Sequence, residues 1–226
     1  MGVAGNLAAV RARIAQACGR AGRDPASVKL VAVSKVQPVE AIREALEAGQ
    51  RAFGENYAQE LREKADAIGD AAVIEWHFLG ALQTNKVKMV VGKVALVHTC
   101  DRPSLAQELN KRAAALGTVQ RVLVEVNLAE EPQKGGIAPR ELGRFVDAIR
   151  SLPSLRGEGL MCIPPAEDDP RKHFRRLREL RDELGGAAAL PELSMGMSAD
   201  YEAAIEEGAT IVRVGTAIFG ERPPKA

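Results

Sequence analysis

Short apolar runs of strand length recur along this chain, and a stretch of helical period separates each run from the next. The runs fall at residues 28–34, 50–54, 74–79, 96–100, 121–127, 157–162, 192–195 and 210–214. Most are nearly continuous in apolar character rather than alternating, which is how strands covered on both faces of a parallel sheet read. Helical patterns are expected over 39–48, 57–68, 83–91, 103–116, 139–152, 170–184 and 199–207. Gly49, Gly117 and Gly208 stand where a helix commonly stops, and Pro139 stands in a first turn, where a missing N–H does least harm. About eight strand–helix alternations predict an α/β fold, a (β/α)8 TIM-like barrel, ahead of an open doubly wound sheet. No helical pattern follows the last run. The amphipathic N-terminal segment, ahead of the first run, is expected to cover that gap.

A length of 226 residues suits one barrel, so a single domain over 1–226 is expected. Hydrophobic residues make up 46% and charged residues 27%, enough for a sizeable core and a wetted surface. The formal net charge of +1 gives no reason to expect nucleic acid or an anionic membrane as a partner. Cys18, Cys100 and Cys162 are odd in number and widely spaced, without a C-x-x-C pair. They suggest neither a zinc site nor a disulfide framework, and fit reduced thiols in the cytoplasm. No apolar run approaches the ~18–20 residues of a membrane span, and the N-terminus lacks the apolar core of a signal peptide.

In such a barrel, chemistry belongs where strands end and loops begin. The first run reads VAVSKVQP and drives an apolar strand into Lys35. Val31, Val33 and Lys35 alternate at period two, so all three are expected on one side of the strand. A partly desolvated lysine holds more neutral amine and can attack a carbonyl to form a Schiff base. The plain alternative is a lysine reaching past the strand end to water. The stretch SMGMSAD ends the seventh run, with Gly196 for a tight backbone, then Met197 and Ser198. IVRVGTAIFGERP places Arg213 within a strand and follows it with Gly215 and Thr216. The two stretches make a pair of phosphate-suited loops after the last two strands, a common place for phosphate in barrels. Arg213 reads equally well as half of a structural ion pair. Asn56, in FGENYAQE, either caps its helix or touches a ligand. His77 could be a base, although a hydrogen-bonded structural histidine is commoner; Trp76 and Phe78 read as core, and His98 and His173 show no ligand-like partners. No metal-ligating set emerges.

The segments VAVSKVQP, FGENYAQE, WHFLGALQTNK, VNLAEEPQKGGI, LSMGMSADYEAAI and VRVGTAIFGER occur in this order over nearly the whole chain. Together they resemble the pyridoxal phosphate homeostasis proteins. The resemblance implies a barrel similar to the N-terminal domain of alanine racemases, with Lys35 carrying pyridoxal 5′-phosphate (PLP) as an internal aldimine. It implies that Arg213 faces the pyridine nitrogen, that groups around Met197, Ser198, Gly215 and Thr216 hold the phosphate, and that Asn56 lies close to the cofactor. It further implies a role in vitamin B6 homeostasis, buffering the cofactor or delivering it to apo-enzymes in transient contacts, without established catalytic turnover. Gln37 stands where the family often has a second lysine, so that lysine's role does not carry over; Lys134 matches the family's loop lysine.

Three classes of function stay open on this reading. A binding protein leads, as a cytoplasmic monomer with no catalytic residues of its own. A PLP-dependent amino-acid racemase or lyase is the alternative, opposed by the absence of a racemase-like β-domain and of a second base after Gly220. A cofactor-free aldolase using a barrel lysine gives Arg213 no task.

Overall fold

The computed structural model describes residues 2–69 and 74–221. Eight strands form a closed parallel barrel in chain order: β1 (Lys29–Val33), β2 (Ala52–Glu55), β3 (Glu75–Phe78), β4 (Leu96–Cys100), β5 (Gln120–Glu125), β6 (Leu155–Met161), β7 (Glu192–Ser194) and β8 (Ile211–Val214). β8 closes on β1, with Lys29 opposite Ile211 and Val31 opposite Arg213. Closure leaves no sheet edge, which frees every strand to be apolar on its outer face. The helices are α1 (Val3–Arg20), α2 (Val39–Glu47), α3 (Ala58–Ile68), α4 (Pro103–Ala115), α5 (Leu142–Arg150), α6 (Pro170–Glu183), α7 (Gly186–Ala189), α8 (Tyr201–Glu206) and α9 (Thr216–Phe219). The expected (β/α)8 architecture is therefore present, and each expected strand has its counterpart within two residues or so.

Two details differ from expectation. The segment between β3 and β4 is a 3₁₀ turn, Thr84–Met89, and not an α-helix. Its apolar residues Val87, Val90 and Val91 still bury, but β-branched valines favour the α-helix weakly, and Gly92 at φ 84° ends the segment early. Residues 139–141 likewise form a 3₁₀ turn ahead of α5.

The gap after β8 is filled from both ends of the chain. α9 is only four residues long, and α1 lies beside it. Leu7, Val10, Ile14, Ala17 and Cys18 give α1 one buried stripe. The Asn6 side-chain amide donates to the Ile218 carbonyl at 3.0 Å, and Arg13 and Arg20 pair with Glu202 and Glu206 around α8.

The main core lies between barrel and helices. A second apolar cluster, Val31, Ala52, Leu79, Leu96, Leu123, Met161 and Ile211 with Val33 against it, fills the barrel itself. All three cysteines are buried thiols. Among the described residues no helix is long and apolar enough to cross a membrane.

Candidate functional site

The strand ends carrying the predicted site residues are neighbours: β7, β8, β1 and β2 lie side by side in the barrel. On β1, Val31 and Val33 belong to the interior cluster. The chain then leaves the strand, and half-buried Lys35 sits in the following turn. That turn is gripped from the side of α3. Ser34 Oγ donates to Glu55 Oε1 at 2.6 Å. Lys64 Nζ donates to the Ser34 carbonyl at 2.6 Å, to Glu55 at 2.8 Å and to Glu60 at 2.6 Å. The Val36 N–H donates to Glu60, and Val36 itself is held at φ 63°, a left-handed conformation that β-branched residues avoid. Burial pushes the Glu55 carboxyl upward, against the opposing pull of Lys64 and Ser34.

The loops after β7 and β8 meet at Ser198. Its hydroxyl oxygen accepts from the backbone N–H of Gly215 at 3.3 Å and of Ala217 at 3.4 Å. These bonds are long, so the two amides and the hydroxyl converge without being tightly spent on one another. Gly215 also lies against β1: a Cβ there would sit 3.2 Å from the Val33 carbonyl oxygen, two residues short of Lys35. Gly196, at φ 90°, lies so close to α8 that a Cβ would come within 2.6 Å of Ala204. Met197 and Thr216 are exposed at this rim, and the Met197 N–H donates to Asp200 at 2.6 Å.

Arg213 is 5% exposed. Its Nη1 donates to Ser194 Oγ at 2.6 Å and its Nη2 to the Cys162 carbonyl at 3.0 Å. Among the described residues no carboxylate forms an ion pair with it, so the ion-pair alternative drawn from sequence does not hold. Burial lowers its pKa, partly offset by nearby groups that include Glu125 and Asp200. A buried guanidinium with neutral partners is costly unless something else answers its charge. Asn56 ends β2; its Oδ1 is buried and lacks a hydrogen-bond partner among the described residues. Its backbone is pinned by Gly80, where a Cβ would fall 2.0 Å from the Asn56 carbonyl oxygen. At the end of β5, Glu125 is pushed up to about 7, first by burial and then by Asp101, with Arg213 opposing.

The model of the alanine racemase N-terminal domain matches residues 5–223. A pyridoxal phosphate homeostasis protein of Aquifex aeolicus is 51% identical over 221 residues, covering 96% of this chain and 96% of its own. Its namesake in Escherichia coli K12 is 43% identical, covering 97% of each chain. The chain belongs to the pyridoxal phosphate homeostasis protein family. A structure of PipY of Synechococcus elongatus with PLP bound, 37% identical, superposes with a TM-score of 0.84 over 96% of this chain and 100% of that one. Alanine racemase from Corynebacterium glutamicum, 19% identical, matches with a TM-score of 0.68 over 98% of this chain and 61% of its own, a likeness of fold alone.

In this member of the homeostasis protein family, the residues expected to hold the cofactor lie on or just after four adjacent strands: Lys35, Asn56, Met197, Ser198, Arg213, Gly215 and Thr216. His77 is structural, as the commoner reading held: it is fully buried and bonded to His98 and Glu75. His98 is hydrogen-bonded to His77 and Ser194, and among the described residues no metal-ligating group forms around it. His173 pairs with Asp168 on the outside. Lys134 pairs with Glu131 in its loop. The sequence reading missed the Glu55–Glu60–Lys64 grip on the Lys35 turn, for which the i,i+4 pair Glu60–Lys64 was the available signal.

Proposed function

We propose that this chain binds pyridoxal 5′-phosphate at the β7–β8–β1–β2 end of the barrel and serves to hold and release it, without turning over a substrate. PLP supplies an aldehyde that bonds reversibly to a primary amine, and a phosphate that needs several donors. Lys35 offers the amine. The amides of Gly215 and Ala217 and the hydroxyls of Ser198 and Thr216 are suited to the phosphate, with Met197 beside them. The orphaned Asn56 Oδ1 and the carboxylate-free Arg213 are two buried polar groups that a bound ring would answer. The observation that carries the reading is the meeting of Gly215 with the end of β1: it brings the anion-suited loop within two residues of the Lys35 turn. The family relative PipY, whose structure holds PLP, supports it.

Arg213 also bears on the electronics a bound ring would have, without forbidding catalysis. A carboxylate at the ring nitrogen keeps it protonated and makes the cofactor a strong electron sink. A guanidinium has only donors and cannot take that proton. A ring nitrogen facing Arg213 would stay unprotonated, and the electron sink would be weaker.

Reduction with borohydride tests the assignment. Purified protein incubated with PLP should gain one reduced pyridoxyl phosphate adduct, and peptide mass spectrometry should find it on Lys35. Lys35→Ala should gain none at that site. An adduct on another lysine, or none on the wild type, defeats the proposal.

A further inference from the structure

The barrel interior holds a continuous line of hydrogen bonds from its floor to Arg213. Lys29 donates to Glu75 Oε1. Glu75 Oε1 lies 3.2 Å from His77 Nε2, His77 Nδ1 lies 2.8 Å from His98 Nε2, and His98 Nδ1 lies 2.8 Å from Ser194 Oγ. Ser194 Oγ in turn accepts from Arg213 Nη1 at 2.6 Å. Both rings and Ser194 are fully buried.

The direction of each bond follows from what its ends can do. Arg213 can only donate, so Ser194 accepts from it and turns its own O–H toward His98 Nδ1. His98 then carries its proton on Nε2 and donates to His77 Nδ1. His77 carries its proton on Nε2 and donates to the Glu75 carboxylate. The opposite tautomers would set the lone pair of His77 Nε2 against that carboxylate, a repulsion with no compensating donor. Burial lowers the pKa of both rings, His98 further than His77, in keeping with neutral imidazoles. Glu75 is held down at about 2, mainly by its bond from His77, with Lys29 assisting against the effect of burial. A carboxylate anchored by a lysine at the floor thus fixes the polarity of every link up to the guanidinium.

We infer that Glu75, His77, His98 and Ser194 are positioning residues for Arg213, setting where its guanidinium stands against the cofactor ring. The inference rests on the reading of Arg213 as the ring's partner. With Nη1 tied to this line and Nη2 to the Cys162 carbonyl, the cation is held from two sides. Loosening the line frees one of those sides. Glu75, at the first residue of β3, then influences a ligand at the other end of the barrel.

The test titrates purified wild type and variants with PLP and records the visible absorption of the bound cofactor across pH. Ser194→Ala should weaken uptake about tenfold, the effect of losing one hydrogen bond to a charged group; His98→Leu should weaken it less, and both should move the absorption maximum or its pH midpoint. Ser194→Thr keeps the hydroxyl and should match wild type. Glu75→Leu should move the band in the same direction by less. Leu123→Ala opens an apolar cavity in the same interior, and should lower thermal stability while leaving the band in place. Should His98→Leu fail to fold, the Ser194 pair decides. Wild-type bands in Ser194→Ala and Glu75→Leu overturn the inference, as does an equal shift in Leu123→Ala. A wild type that takes up no PLP strikes the parent reading instead.

Discussion

Lys64 reaches from α3 to the carbonyl of Ser34, 2.6 Å away, and so buttresses the turn that presents Lys35. The ammonium is buried, as is Glu55, its partner at 2.8 Å. Removing one member of such a pair strands the other charge in the interior. Lys64→Met should therefore destabilise the fold by about 3 kcal/mol, a fall in melting temperature on the order of 10 °C for a domain of this size. The double variant Glu55→Gln/Lys64→Met should recover part of the loss, since the amide still accepts from Ser34. Urea denaturation of the three proteins measures both effects; equal stability of Lys64→Met and wild type would contradict the buttress.

Val36 holds φ 63° next to Lys35 and is 37% exposed. A β-branched residue pays strain there that asparagine largely avoids. Val36→Asn should raise stability by about 1 kcal/mol while keeping the N–H bond to Glu60. Thermal melts check it: a lower melting temperature would mean that the valine side chain contributes more packing than its exposure suggests.

Glu125 gives a pH dependence with a definite sign. Its folded pKa, about 7, lies above the ordinary 4.5, through burial and Asp101. Between these two values the unfolded chain has released a proton that the folded protein keeps. Stability that is present below pH 4.5 is thus lost as pH rises through about 7. The difference in unfolding free energy between wild type and Glu125→Gln should turn against wild type across that window. A pH-independent difference would rule the effect out.

Glycines of opposite function make a paired test. A Cβ on Gly80 would lie 2.0 Å from the Asn56 carbonyl oxygen, backbone that cannot step aside, whereas Gly19 in α1 has nothing within 4 Å of that position. Gly80→Ala should cost about 1–3 kcal/mol and disturb Asn56, weakening PLP uptake. Gly19→Ala should stabilise by about 0.5–1 kcal/mol. The same sign for both would refute the packing argument.

The barrel was legible because burial on both faces turns each strand into an apolar run, while the helices keep their stripe. The run at 96–100 matches β4 end for end. The site was legible in part for the same reason: strand ends carry loops, and the loops after β7, β8, β1 and β2 hold unusual residues. What stayed hidden depends on neighbours far apart in the chain. The run LVHTC gives no hint that His98 meets His77, 21 residues away, and Ser194, 96 residues away. Neither did VSKVQP announce Lys64, since α3 must first fold against the turn for the contact to exist.

The pairing of β1 with β8, Lys29 opposite Ile211, has a temporal consequence. During synthesis the first strand emerges early and its own partner last. Until β8 arrives, the nascent sheet shows two raw edges and α1 has no α9 to lie on. The barrel can therefore close only once nearly the whole chain has been made.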